Sequence, residues 1–351
     1  MEKNTNKFKL NTLIFSNGER YPILIDQNGM PDYWSTVYLS SQVRVTSQAS
    51  GTLEQILKAI SFFKTILSKL MLDEEELFKR IQAGNIFKLY ELEYIVNECK
   101  YFLKDIETET TTNFIPTLSI KSLEKIKSAS AKTNKNFKTV SLSTAKVRLL
   151  YISQYISWFV KYNISKLDLD YSVRQNLIEE NKEIQQFLKN MAPSAKRSSL
   201  EAKEGLNEEE VKELFKAIRK DSEYNIWKDE FTKARNELIL FWLFQFGLRR
   251  GELLNIRISD IDCQKEEVTI ERRADDPNDE RRTQPRVKTN GRKLSIPSKL
   301  VNLTYDYILN QRSKLPKAKS HDFLIVAAKT GNPMSIVNIN KIFEQLRDNV
   351  D

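Results

Sequence analysis

Two basic groups stand where their surroundings give them work. Arg249 and Arg250 follow Gly247 and Leu248, just after the apolar run Leu238-Ile239-Leu240-Phe241-Trp242-Leu243-Phe244. A fixed backbone that offers a guanidinium at its edge suits two-point binding of an anion such as a phosphate. Paired arginines at a helix end more often serve free carbonyls or solvent. What raises the interest of this pair is a companion downstream. Lys288 lies thirty-nine residues after Arg249, within Arg286-Val287-Lys288-Thr289-Asn290-Gly291-Arg292-Lys293. Asn290-Gly291 signals a tight turn, so the lysine is expected on the shoulder of a hairpin, where a flexible amine reaches outward.

The elements that must position these groups can be read around them. The run 238–244 is apolar on every face, so as a helix it is expected to be buried all round. Gly247 is expected to close that helix in the left-handed conformation. Leu253, Leu254 and Ile256 restart the apolar pattern, and Ser259-Asp260-Ile261-Asp262 ends it. Residues 267–272 alternate as a strand, with Val268 and Ile270 on one face. An acidic, turn-rich insert, Asp275-Asp276-Pro277-Asn278-Asp279-Glu280, comes before the lysine segment. After Pro297, a helix is expected through Leu300, Leu303, Tyr307 and Ile308, then a buried strand at 323–326 and a helix over 337–346.

Upstream, residues 8–48 read as short strands around turns at Asn17-Gly18 and Asn28-Gly29, with 37–39 and 43–45 adding a strand. From Thr52 the period becomes helical: Leu53, Ile56, Leu57, Ile60 and Phe63 recur at three- and four-residue spacing. Asp73 opens a second helix, 92–103 give a third, and 147–162 the last long one. Between them, residues 121–148 carry eight basic side chains against the single acid Glu124. Lysine runs are most often solvated surface, yet in a basic protein this one is the candidate for sequence-independent phosphate contacts. Residues 191–200 lack a period and read as a linker. Asn207 is then a helix N-cap, with Glu210 in the capping-box position.

The bulk numbers bound the class. The chain has 351 residues, 40% hydrophobic and 10% aromatic, and a formal charge of +9. That length holds two domains, and the charge points to a polyanionic partner. Two cysteines, Cys99 and Cys263, fit no metal or disulfide framework, and the single histidine, His321, cannot build a histidine-rich metal site. No run approaches the roughly 18 apolar residues of a membrane span. No metal and no cofactor are expected, no membrane partner either, and the cytoplasm is the expected compartment.

Gly247-Leu248-Arg249-Arg250-Gly251-Glu252-Leu253-Leu254, closed by Asp260-Ile261, resembles the first signature box of the tyrosine recombinases, the phage integrases. Lys288-Thr289, followed by the basic Arg292 and by Ile296-Pro297, resembles the family's lysine hairpin. The resemblance implies that Arg249 binds the scissile phosphate and that Lys288 protonates the leaving 5′-oxygen. It covers about residue 206 to the end. The family's His-x-x-Arg box and its nucleophilic tyrosine are not found, and His321 does not substitute, so the chain is expected to be C-terminally incomplete and inactive as it stands.

The expected fold is mainly α with small β elements: an N-terminal β segment (1–48), a helical core-binding domain (49–190), a linker (191–205) and a partial α+β catalytic domain (206–351). Arg249 and Lys288 are the expected catalytic residues. Lys125, Lys127, Lys132, Lys135, Lys138 and Arg292 are the expected DNA-binding residues. Double-stranded DNA is the expected partner, with self-association on DNA (a tetramer in the family) and a mobile genetic element as context. The alternative is a non-catalytic DNA-binding module that occupies sites or modulates an intact recombinase.

Overall fold

A computed structural model describes residues 8–46, 49–103, 138–194, 205–273, 276–285 and 290–349. The fold is mainly α with small sheets, as the sequence implied. The chain divides into two compact units, Met1–Leu13 with Tyr21–Glu201, and Ile14–Arg20 with Ala202–Asp351.

β1 (Lys9–Ile14) and β2 (Arg20–Ile25), which form a two-stranded sheet, lie in the first unit except for Ile14 and Arg20 at their ends. Gly18 takes φ +85° in the turn between them, a conformation glycine adopts without a Cβ penalty. Residues 37–39 and 43–45 are helical rather than extended. They belong to α1 (Tyr33–Tyr38) and to the π and 3-10 turns that prolong it to Thr46. The Asp32 carboxylate starts this helix by accepting from the Ser35 N–H at 3.0 Å. That local cap outweighs the β preference of Val37, Val43 and Val45.

Among the described residues, three long helices and two short ones complete the unit: α2 (Ser50–Lys69), α3 (Glu74–Gln82), α4 (Leu89–Glu98), α5 (Leu142–Lys166) and α6 (Tyr171–Asn190). The helical pattern legible in the sequence ends at 162, short of α6. Its buried stripe is thin, Leu177, Ile184 and Leu188 with Asn181 among them, which explains the weak signal. Leu57, Ile60 and Ile66 of α2 are fully buried in one core with Ile81, Ile95, Ile152 and Leu177. Lys64 is buried there too. Its ammonium meets Asp32 at 2.8 Å and also Glu74, and the Tyr155 hydroxyl donates to Glu74 at 3.2 Å. Two carboxylates around one ammonium satisfy a charge that would otherwise be costly to bury. Trp34 lies edge-on to Phe159 at 4.8 Å and to Trp158 at 6.4 Å, an arrangement that aromatic quadrupoles favour.

The second unit opens with α7 (Glu208–Ile218). Its capping box is formed: the Glu210 N–H donates to Asn207 Oδ1 at 2.9 Å, and the Asn207 N–H to Glu210 Oε2 at 2.7 Å. The central α8 (Glu230–Phe246) carries the apolar run. Trp242 is fully buried, and its indole N–H donates to Thr304 Oγ1 at 3.1 Å. Phe244, in contrast, is 58% exposed, so the helix is not buried on every face. Gly247 closes it at φ 57°, ψ 33°, as expected. The four-residue α9 (Arg250–Leu253) follows.

Three antiparallel strands come next: β3 (Ile261–Asp262), β4 (Glu267–Ile270) and β5 (Arg292–Ser295), in the order β3-β4-β5. The register pairs Val268 with Leu294 and Ile270 with Arg292. Twenty-one residues separate β4 from β5, so Asn290-Gly291 ends a long connection and not a two-residue turn. The unit closes with α10 (Ser298–Asp306) and α11 (Ile336–Asn349). Trp227, 7% exposed, reaches α11 through its indole N–H to Gln345 Oε1 at 2.9 Å. Residues 323–326 are buried as expected but do not form a strand: they make isolated bridges, Arg257 with Phe323 and Val326 with Pro333. A short apolar run reports burial, not the ladder that defines a strand.

Candidate phosphate-binding site

The N–H of Arg249 is the first problem that α9 must solve, because a helix start leaves its donors unpaired. Glu252, one turn on, solves it: Oε2 accepts from the Arg249 N–H at 2.9 Å. The same carboxylate meets the Arg249 side chain, Nη1 to Oε1 at 3.6 Å. It also accepts a two-pronged contact from β5, with Arg292 Nη1 to Oε1 and Nη2 to Oε2 both at 3.1 Å. The hydrogen bond to Glu252 raises the Arg292 pKa further above its ordinary value. The Glu252 side chain is only 1% exposed, whereas those of Arg249 and Arg292 are 59% and 34% exposed. One buried carboxylate therefore aims two solvent-facing guanidinium groups.

The base beneath them is rigid. Leu253, Leu254 and Ile256 are buried, in one core with Trp242, Val268 and Ile270. Arg250 points elsewhere and hydrogen-bonds the Asn340 side chain on α11. The chain between β4 and β5 is tied down by paired charges. Arg273 binds the Asp260 carboxylate in a fork, with one arm at 3.0 Å. Arg257 meets Asp276 at 2.5 Å. Arg281, buried with Asp279, donates to the carbonyls of Leu254 at 3.0 Å and Met334 at 3.1 Å. Asp276 and Asp279 of this insert thus serve arginines. Arg257 and Arg281 also lie over the Phe323 ring, at 5.5 and 4.3 Å.

Of the expected site residues, the structure brings Arg249 and Arg292 together. Lys288, Lys125, Lys127, Lys132 and Lys135 lie outside the described residues. Lys138 is exposed at the edge of the first unit. Arg148, counted in the basic run, turns inward: it donates to the carbonyl of Tyr101 at 2.6 Å and lies over the Phe62 ring at 4.3 Å. Burial holds its pKa below the ordinary arginine value.

His321 is structural. Its Nε2 donates to the Gly331 carbonyl at 2.8 Å, while Nδ1 accepts from the Phe323 N–H at 3.3 Å. Desolvation is the main reason its pKa falls below the ordinary value. Glu252 was missed as the hub of the site. Its three-residue spacing from Arg249 was a readable signal, but its contact with Arg292 exists only through strand pairing. Among the described residues, no group of His, Cys, Asp and Glu is placed to hold a metal ion. No helix among them is long and apolar enough to cross a membrane.

A buried glutamate thus holds two arginines beside a three-stranded sheet. Residues 204–351, within this second unit, match the model of the phage integrase family, which supports a place among the tyrosine recombinases. The chain is 22% identical over 275 residues to the tyrosine recombinase XerH of Campylobacter jejuni subsp. jejuni serotype O:2, spanning 70% of this chain and 71% of that protein. It is also similar to a crystal structure of XerA recombinase, with a TM-score of 0.31 and 18% identity over 79% of this chain and 77% of that one.

Proposed function

We propose that this chain is a site-specific DNA recombination protein in which Arg249 neutralises the phosphate at the point of strand exchange. The observation that carries this reading is the setting of Arg249: a half-exposed guanidinium held against the buried Glu252 carboxylate at the capped start of α9, within the integrase domain. Preorganised donors of this kind stabilise charge that grows on phosphoryl oxygens and need no rearrangement during the step. Lys288 is the proposed proton donor to the leaving 5′-oxygen, a task for a positioned, exchangeable proton. Lys125, Lys127, Lys132, Lys135 and Lys138 are the proposed backbone contacts, with duplex DNA as partner and self-association on it. No residue of 1–351 is assigned as the nucleophilic tyrosine, so a polypeptide of this sequence is proposed to bind DNA without cutting it.

The test is fluorescence anisotropy of the 1–351 chain on a labelled duplex at increasing salt, beside a nicked duplex assayed for covalent attachment. Binding that weakens steeply with salt, as counterion release requires, and no adduct after denaturation are expected. Duplex binding that is absent at low salt, or indifferent to salt, overturns the reading.

A further inference from the structure

We propose that Arg20, at the tip of the N-terminal hairpin, is a positioning residue for α9, the helix capped by Arg249, and that it acts through the turn 276–281. Its bearing on phosphate binding rests on the reading of Arg249 given above. Two independent observations carry it.

The first is a run of hydrogen bonds inside the second unit, to which Ile14–Arg20 belongs. Arg20 is 2% exposed. Its Nη1 donates to the carbonyl of Gly18 and, at 2.9 Å, to that of Asp276, 256 residues away. Its Nη2 donates to the carbonyl of Asp279 and, at 3.2 Å, to that of Arg281. A buried guanidinium whose donors go to main-chain carbonyls fixes where the backbone runs. The same turn carries the next link. The Asp279 carboxylate accepts from Arg281 Nε at 2.9 Å and from Nη2 at 2.8 Å. Arg281 Nη1 then donates at 3.0 Å to the carbonyl of Leu254, the C-cap of α9. Two guanidiniums therefore run in series from the hairpin tip to the end of the helix that Arg249 begins.

The second is a close approach. A Cβ on Gly18 would lie 2.5 Å from the Pro277 nitrogen and 2.7 Å from the Asp276 carbonyl carbon. The tip is packed against the main chain of the turn, with no room for a side chain between them. Gly18 and Arg20 thus hold the same turn by separate means, one by contact and one by hydrogen bonds.

The experiment compares the wild-type 1–351 chain with Arg20→Gln, Arg20→Lys and Gly18→Ala. Hydrogen exchange read by mass spectrometry follows the backbone, and anisotropy on a labelled duplex follows binding. Arg20→Gln and Gly18→Ala are expected to speed exchange at 253–256 and 276–281, while α5 keeps its protection. Arg20→Lys keeps the charge but not the fork, and should recover part of the protection. Changing a link in a contiguous network shifts a distant affinity by roughly two- to thirtyfold, and a weakening of that size is expected in Arg20→Gln. The loss should vanish in an Arg249→Gln background. A residue that only adds stability gives the same loss in both backgrounds.

Thermal melts show which variants are folded. If Arg20→Gln or Gly18→Ala does not fold, Arg20→Lys decides by the same two readings. Unchanged exchange at 253–256 in every folded variant overturns the proposal, and so does an equal loss of affinity in the two backgrounds. If Arg249→Gln leaves binding unaltered while Arg20→Gln still loosens 253–256, the reading of Arg249 fails and the hold of Arg20 on α9 stands.

Discussion

The Arg292 guanidinium grips both oxygens of the Glu252 carboxylate at 3.1 Å, joining the first residue of β5 to the short helix that presents Arg249. Glu252→Gln keeps the shape but removes the charge, and an amide offers one acceptor oxygen where the carboxylate offered two. Hydrogen bonds to charged groups contribute about 1.5–3 kcal/mol. A loss of that size is expected in urea unfolding followed by far-UV circular dichroism. An unchanged midpoint would show that the carboxylate holds neither arginine in solution.

Gly247 allows a different kind of test. It sits at φ 57°, and a Cβ built there meets nothing within 4 Å. Gly247→Ala therefore adds no clash, only the cost of a left-handed residue, about 1–2 kcal/mol. Gly247→Asn should recover part of it. DNA affinity should stay near wild type in both, because α9 begins after the turn. A loss well beyond 2 kcal/mol would mean that the glycine does more than close α8.

The fold was legible where pattern and cap agree. Asn207 with Glu210, Gly247 at the end of α8, and the alternation of Val268 and Ile270 all behave as read. It was illegible where long-range pairing decides. Residues 323–326 are buried but form no strand, and α6 hid behind a polar face that includes the buried Asn181. The site divides in the same way. The place of Arg249 at a helix start followed from its neighbours in sequence. Glu252 as a shared hub did not, because the register of β4 and β5 brings Arg292 to it. The pairing of Asp276 and Asp279 with Arg257 and Arg281 likewise depends on how the insert folds back.

His321 gives the second unit a pH dependence whose sign can be stated. Desolvation, the largest cause, lowers its folded pKa below the ordinary 6.5. The unfolded chain thus takes up the proton first as pH falls. The stabilisation is present above the unfolded pKa and is lost as pH drops through the folded one. Thermal melts from about pH 7.5 to 5 should show a falling midpoint, with a shallower fall in His321→Gln. Parallel curves for the two proteins would show that this ring does not drive the dependence.

The two thiols should react differently. Cys99 is buried, and burial pushes its thiol up to about 12, while Cys263 is exposed. A thiolate is the reacting form, so a maleimide should label the native chain once, at Cys263, and reach Cys99 only in denaturant. Peptide mapping by mass spectrometry reads both. Rapid native labelling of Cys99 would mean that the core between α2 and α5 opens readily.

The chain has four tryptophans, and the units hold two each: Trp34 and Trp158 in the first, Trp227 and Trp242 in the second. Their surroundings differ. Trp34 and Trp158 meet edge-on within an aromatic cluster, while each indole N–H of the second pair is hydrogen-bonded to a side chain of its own unit. The molecule therefore carries a built-in optical probe for each half. Replacing one pair by phenylalanine silences the emission of that half alone. The spectrum that remains follows the other unit through a titration with denaturant or DNA, with no dye attached.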